Sequence, residues 1–272
     1  MTLTTIILAN LILPAAFMAS TPLRVAHDFA AVQTGRSSTG VGVKTHTGDD
    51  AEILGKWIAG RQVSLADVEK FGLENCFAAS EIDDFTFSRM QGKSYKSGCT
   101  IPRSDLRYVK VLHYTAGGKI MTGEIVCNKS ISNDLVEIFR ALFKAKYPIE
   151  SIVLVDEFDA DDIRSMQANN TSCFNFRRVE GSKTLSNHSR GTAIDINPLY
   201  NPCVTRRRNG TTSVSPTAGK KYADRTKHFD YKIDTTDKCY REFIKHGFTW
   251  GGNWRSKKDY QHFEKRLQTT SP

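Results

Sequence analysis

The chain has 272 residues and a formal net charge of +9, with 25% charged and 39% hydrophobic side chains. This is an ordinary globular composition, so wholesale disorder is excluded, and the length allows one well-buried domain with additions. The positive excess implies a basic surface that attracts anionic polymers such as nucleic acid, acidic membranes or cell-wall material; a solvated basic face with no partner is the alternative. Lys and Arg are spread along the chain, clustering only in "TRRRNG" around Arg206–Arg208 and in "GKKYADR" near Lys220. No aromatic-interleaved nucleic-acid motif accompanies them, so no nucleic-acid partner is expected.

Residues 1 to 23 carry no charged side chain, and Thr5 to Ala19 is apolar. That run is short for a membrane span and suits the core of a signal peptide, here set at residues 1–20, although its start lacks Lys and Arg. An exported protein with no stable membrane partner is the expectation. Residues 21–70 read as an N-terminal extension. "RSSTGVGVKTHTGDD" looks flexible, while "DAEILGKWI" and "SLADVEKFG" look like short helices, the second with Ser64 as N-cap.

Order is clearer from about residue 82. "LRYVKVLHY" and "KIMTGEIVCN" alternate as two strands around the turn "AGG", which makes a hairpin. "SNDLVEIFRALFKAKYP" is an amphipathic helix with Leu135, Ile138, Phe139, Leu142 and Phe143 on its apolar face, stopped by Pro148. "ESIVLVDEF" reads as a strand and "DADDIRSMQANNTS" as a loop. "TAIDIN" is a strand ended by Asn197-Pro198, and residues 200 to 234 form a long insertion of the kind that is usually functional or disordered. "TDKCYREFIKHG" is a helix closed by Gly247, and "FTWGGNW" is a strand followed by "KDYQHFEK". Helices mixed with antiparallel hairpins, without βαβ regularity, indicate α+β.

The six cysteines contain no C-x-x-C pair, which argues against a zinc–thiolate knuckle. An even number permits disulfides in an exported chain; buried free thiols are the alternative. Several N-x-[ST] sequons, Asn187-His188-Ser189 among them, are read as chance. His27, His46, His113, His228 and His246 have no partner at ligand spacing.

Chemistry concentrates in two places. In "LSNHSRGTAID", Gly191 lets the chain turn tightly, so His188 can fold back beside Asp195 on the following strand. A buried Asp in an apolar strand needs a positive partner. A metal ion and a plain His–Asp hydrogen bond both satisfy that need. In "DYQHFE", Asp259 and His262 share a face if the segment is helical or tightly turned. A nitrogen ligand beside a spare carboxylate suits a hydrolytic zinc site, which keeps one coordination position open for water. Trp250 and Trp254 are either cleft walls or core aromatics.

Together, Ser186-x-His188-x-x-Gly191-x-Ala193-x-Asp195 and the later "WGGNWRSKKDYQHFE" resemble the zinc D-alanyl-D-alanine carboxypeptidases and L-alanyl-D-glutamate endopeptidases of bacterial cell walls. Their fold is shared with the signalling domain of hedgehog. The similarity runs from about residue 82 to 266 and includes "NNTSCFNFR" and "DINPLYNP". The resemblance implies a zinc peptidase domain over residues 71–268, an antiparallel sheet with helices packed on it, and peptidoglycan stem peptides as substrate for a monomer. It implies His188, Asp195 and His262 as zinc ligands and Asp259 as catalytic base, where the family often has Glu. It implies Arg177 as the arginine that steadies the oxyanion or substrate carbonyl, with Arg178 its neighbour in sequence. Ser186 would support the ligand loop or contact substrate. A non-catalytic zinc-binding recognition module of the hedgehog-like fold is the alternative function, and Asp259 and Arg177 argue against it.

Overall fold

The computed structural model describes residues 47–266 apart from 180 and 208. The expected signal peptide, and residues 21–46 of the expected extension, lie outside the described residues. Sixteen regular elements follow in chain order: α1 (Thr47–Lys56), β1 (Gln62–Val63), α2 (Leu65–Phe71), β2 (Ala78–Ser80), α3 (Asp84–Met90), β3 (Leu106–Tyr114), β4 (Ile120–Asn128), α4 (Ser132–Lys144), α5 (Asp162–Gln167), β5 (Ala193–Asp195), β6 (Cys203–Arg206), β7 (Thr212–Ser215), α6 (Lys238–Lys245), β8 (Thr249–Trp250), β9 (Lys258–Asp259) and β10 (His262–Glu264). All strand pairing is antiparallel, in three sheets of order β1-β4-β3-β2, β5-β10-β8 and β7-β6-β9. The α+β expectation holds, with three small sheets where one was expected. Among the described residues no helix is long and apolar enough to cross a membrane.

The β3–β4 hairpin is the scaffold, and α4 covers it with the apolar face read from its 3-4 rhythm: Leu135, Ile138, Phe139, Leu142 and Phe143 are all buried. Residues 47–70, the described part of the N-terminal extension, pack on this same core. β1 pairs with β4, Trp57 donates from Nε1 to the Gly123 carbonyl at 3.0 Å, and Val63 and Val68 are buried. Ser64 caps α2 as expected, accepting from the Asp67 N–H at 3.1 Å.

Two local expectations fail for a side-chain reason. "ESIVLVDEF" is not a strand: it makes one bridge at Ser151 and ends in a 3-10 turn at Val155–Phe158. The Asn170 amide takes the place of a neighbouring strand, accepting from Val153 N–H at 2.9 Å and donating to Val153 C=O at 3.0 Å. "DADDIRSMQ" is not a loop, because Asp161 caps α5 by accepting from the N–H groups of Ile163 and Arg164. The insertion at 200–234 contains the β6–β7 hairpin, whose inner strand pairs with β9. All six cysteines are free thiols, and Cys127, Cys173 and Cys239 are fully or almost fully buried.

Phe263 shows how the core reaches the site. Its ring stacks on Phe243 of α6 with centroids 4.3 Å apart. On a strand its neighbours His262 and Glu264 must face the other way. Gly191 meets the scaffold from the opposite side. It sits at φ +67°, and a Cβ there would come within 2.6 Å of the Asn128 backbone nitrogen. Gly191→Ala therefore combines a left-handed conformation with a backbone clash. It should lower unfolding free energy by about 1–3 kcal/mol in urea titration, and wild-type stability would show that this turn is not pinned against β4.

Candidate metal centre

His188 lies in a 3-10 turn, Asn187–Arg190, that Ser186 opens and Gly191 closes. The Ser186 hydroxyl accepts from the His188 backbone N–H at 3.3 Å, and Ser186 is buried. Of the two roles expected for Ser186, this geometry supplies the loop support. Asp195 ends β5, and the register sets it directly opposite His262 of β10. Asp195 gives its own backbone N–H and C=O to Ser172, at 3.0 and 3.2 Å. The Asp195–His262 pair is thus of the non-hydrogen-bonded kind, in which side chains stand closest.

The three donor groups converge. His262 Nδ1 is 3.0 Å from Asp195 Oδ1, His188 Nε2 is 3.4 Å from Asp195 Oδ2, and the two imidazole nitrogens are 3.3 Å apart. One donor atom from each residue fits within a 4.8 Å span, and all three residues are buried. The remaining ring nitrogens turn outward to fixed acceptors. His188 Nδ1 is 2.6 Å from the Cys173 carbonyl, and His262 Nε2 is 3.1 Å from Glu264 Oε2. Each imidazole therefore donates outward and aims its other nitrogen at the centre, as metal-ligating histidines do. Two nitrogens and one carboxylate at this spacing can hold a metal ion with a position left open.

Glu264 and Asn187 complete this arrangement. Asn187 Nδ2 donates to Glu264 Oε2 at 2.6 Å, tying the His188 turn to the His262 strand. The signal for Glu264 was its spacing: on a strand, residues two apart share a face. A helical or turned "DYQHFE" pairs His262 with Asp259, whereas the strand found here pairs it with Glu264. Asp259 also reaches the site, from β9. A Cβ added at Gly251 would lie 2.8 Å from Cβ of Asp259 and 3.2 Å from Cβ of His262, so the two side chains leave the backbone side by side around a residue that must be small. Asp259 is buried, and its Oδ1 has no hydrogen-bond partner among the described residues.

The Arg177 side chain makes its contacts outside this group. Its Nε pairs with Asp162, and no hydrogen bond links its guanidinium to His188, Asp195, Asp259 or His262 among the described residues. Its backbone serves instead, donating to Ser189 Oγ at 2.8 Å and accepting from Ser186 N–H at 3.1 Å, which braces the His188 turn. The two tryptophans divide between the readings open for them. Trp250 is core, donating to the Tyr260 carbonyl at 2.9 Å, whereas the half-buried Trp254 has its ring centroid 5.1 Å from that of His262.

Charge in the metal-free cluster is strongly biased. Burial disfavours the His262 cation, yet hydrogen bonds to Asp195 and Glu264 outweigh it and raise its pKa to about 10. The His262 hydrogen bond lowers Glu264 to about 2. Burial opposes ionisation of Asp195, but His188 and His262 more than reverse it and hold the carboxyl well below the usual range.

Residues 180–265 match the sequence model of a family described as D-alanyl-D-alanine carboxypeptidase. The matched segment contains Ser186, His188, Asp195, Asp259 and His262, so the resemblance read from the motif is borne out where those residues lie; Arg177 falls outside it. No curated protein and no solved structure matches the chain. The match supports a peptidase of this general type.

Two outcomes follow from the geometry. A raised His262 pKa stabilises the metal-free fold fully below pH 6.5, and this contribution fades as pH rises through about 10. A metal ion must displace that proton, so its apparent affinity should climb by up to about tenfold per pH unit across neutral pH, with about one proton released. Calorimetry in buffers of different ionisation enthalpy reads this directly; no proton release would mean that His262 is neutral before binding. Separately, Glu264→Ala should weaken metal affinity by about 10–100-fold while leaving all three donor residues in place. Unchanged affinity by chelator competition would demote Glu264 to a surface carboxylate.

Proposed function

We propose that the chain is an exported zinc metallopeptidase of hedgehog/DD-peptidase-like fold that hydrolyses peptide bonds in peptidoglycan stem peptides. His188, Asp195 and His262 are the zinc ligands and Asp259 the general base. The observation that carries this reading is a buried carboxylate with an unpartnered oxygen, Asp259, beside three converging donors. The family match over the same segment supports a D-alanyl-D-alanine linkage as the bond, and an L-alanyl-D-glutamate linkage is the other bond that the motif resemblance implies.

Zinc supplies Lewis acidity there, making a water molecule acidic enough to be a nucleophile near neutral pH. The protein's side chains do the rest. Asp259 accepts the proton from the attacking water and returns it to the departing amine. Burial raises its pKa, as does the charge of Asp195, while His262 and Lys257 oppose the rise. A base shifted in that direction is better suited to returning the proton later. Glu264 and Asn187 hold His262 and the His188 turn in one geometry, so the ligands need little rearrangement on binding. Trp254 lies beside His262, with ring centroids 5.1 Å apart, and gives the site an aromatic flank.

The non-catalytic recognition module explains the ligands but not Asp259. Burying a carboxylate oxygen without a partner is costly, and a module that only binds metal gains nothing from it. Asp259→Asn preserves shape and cannot accept a proton. It should keep zinc bound and lower turnover of purified peptidoglycan by about 10²–10⁴-fold, with released peptides identified by mass. Loss of zinc alongside activity would make Asp259 a ligand, and wild-type turnover would make the base a different carboxylate.

A further inference from the structure

We propose that Lys257 is the specificity-determining residue of this site, its ammonium binding the free carboxylate of the leaving amino acid; this rests on the hydrolytic reading above. The residue stands just before β9, with Nζ 3.5 Å from Oδ2 of Asp259 and 4.9 Å from the centroid of the Trp254 ring. That ring is in turn 5.1 Å from His262. The cation is therefore held between the proton-transferring carboxylate and the aromatic wall of the cleft. Its side chain is 36% exposed and so remains accessible from solvent.

Two other cations of the region are engaged elsewhere. Lys258 donates to the Gly252 carbonyl at 3.1 Å, and the Arg177 guanidinium pairs with Asp162. Among the described residues the Lys257 ammonium has one ionic partner, Asp259, at a separation longer than an ordinary charge-assisted hydrogen bond. A partly exposed pair of that kind adds little to stability. It also works against the base, because a nearby cation lowers the basicity of Asp259. Neither stability nor basicity accounts for an ammonium at this position.

Substrate geometry does. Asp259 hands its proton to the amine of the leaving residue. When that residue carries a free carboxylate, a single carbon joins the carboxylate to the amine. An ammonium beside the proton donor is then beside the carboxylate too, and charge-assisted hydrogen bonds between them are the strong kind. The peptide would align its scissile bond between the metal ligands and Asp259 by anchoring this end, so recognition and proton delivery share one corner of the site. C-terminal D-alanine meets the requirement, as does D-glutamate linked through its side chain. Both bonds named above therefore remain candidates for the same lysine.

The test uses peptide pairs that differ only in a carboxylate or a carboxamide on the leaving residue: an N-acyl-D-Ala-D-Ala and an L-Ala-γ-D-Glu peptide. Zinc-loaded wild-type protein should prefer the carboxylate form of its substrate by about 10–100-fold in kcat/KM. Lys257→Met should lose that preference through a raised KM, with kcat and zinc content little changed, and Lys257→Arg should restore most of it. A preference that survives in Lys257→Met overturns the assignment. If wild type hydrolyses neither peptide, the peptidase reading fails by itself. Calorimetric binding of the same pairs to wild type and Lys257→Met then decides the role of Lys257. Carboxylate-selective binding lost in the variant upholds it, and equal or absent binding of both forms overturns it.

Discussion

The site depends on one cross-strand register, in which Asp195 of β5 stands opposite His262 of β10. Side chains alternate along a strand, so this pairing also places Ile194 opposite Phe263 on the other face, where both are fully buried. A slip of one residue would turn Phe263 toward the metal ligands and send His262 into the aromatic core beside Phe243. The apolar packing of Phe243 on Phe263 therefore does more than stabilise the sheet: it excludes the registers in which the donors would not meet. Two strands of three residues each are short to fix a register by backbone bonds alone. The core supplies the remaining discrimination, because a one-residue slip buries a charged or polar group without a partner.

Within that register the difficulty is desolvation. Two imidazoles and a carboxylate are buried at the centre, with a second carboxylate, Asp259, buried beside them. The charges offset one another: hydrogen bonds to Asp195 and Glu264 favour the protonated form of His262, and the two imidazoles favour the ionised form of Asp195. Bringing in a cation replaces that proton and lets both imidazoles keep their outward hydrogen bonds to the Cys173 carbonyl and Glu264. The outward acceptors matter as much as the donors, since they decide which ring nitrogen faces the centre. Asn187 joins the two halves of this outer ring, so a shift in the His188 turn is felt at His262 through Glu264.

Local features were legible in the sequence and long-range ones were not. The turn at Gly191 could be read because its geometry is set by neighbours in the chain, and His188 and Asp195 flank it closely. In "DYQHFE" the residues were readable but the period was not. The segment is too short for alternation to stand out, and only pairing with β5 makes it a strand. Period-two spacing puts Glu264 behind the His262 ring, a position that a helical reading of the segment hides. Arg177 was assigned from the motif, but its side-chain direction is set by Asp162, which no spacing rule connects to it. "ESIVLVDEF" looked like a strand because its apolar run is real; the Asn170 amide that replaces the missing strand is invisible to a pattern. Residues 47–70 read as an extension because what fixes them is distant in sequence: β1 is two residues long and pairs with β4, and Trp57 bonds the Gly123 carbonyl of that strand.

The insertion at 200–234 ties specificity to the position of the base. Its inner strand β6 pairs with β9, setting Cys203 opposite Asp259 and Val204 opposite Lys258. β9 has only two residues, so its placement comes from β6 on one side and the close approach of Gly251 on the other. A change in the β6–β7 hairpin would therefore move Asp259, and Lys257 beside it, relative to ligands held by a different sheet. In many enzymes a variable loop can reshape the cleft while a separate scaffold holds the catalytic groups. Here the ligands belong to β5, β10 and the His188 turn, whereas the proposed base rides on the sheet that the insertion builds. The three-donor cluster is insulated from variation in the insertion, but the position of the proposed base is not, and the hairpin must preserve its pairing with β9 even where its tip is free to change.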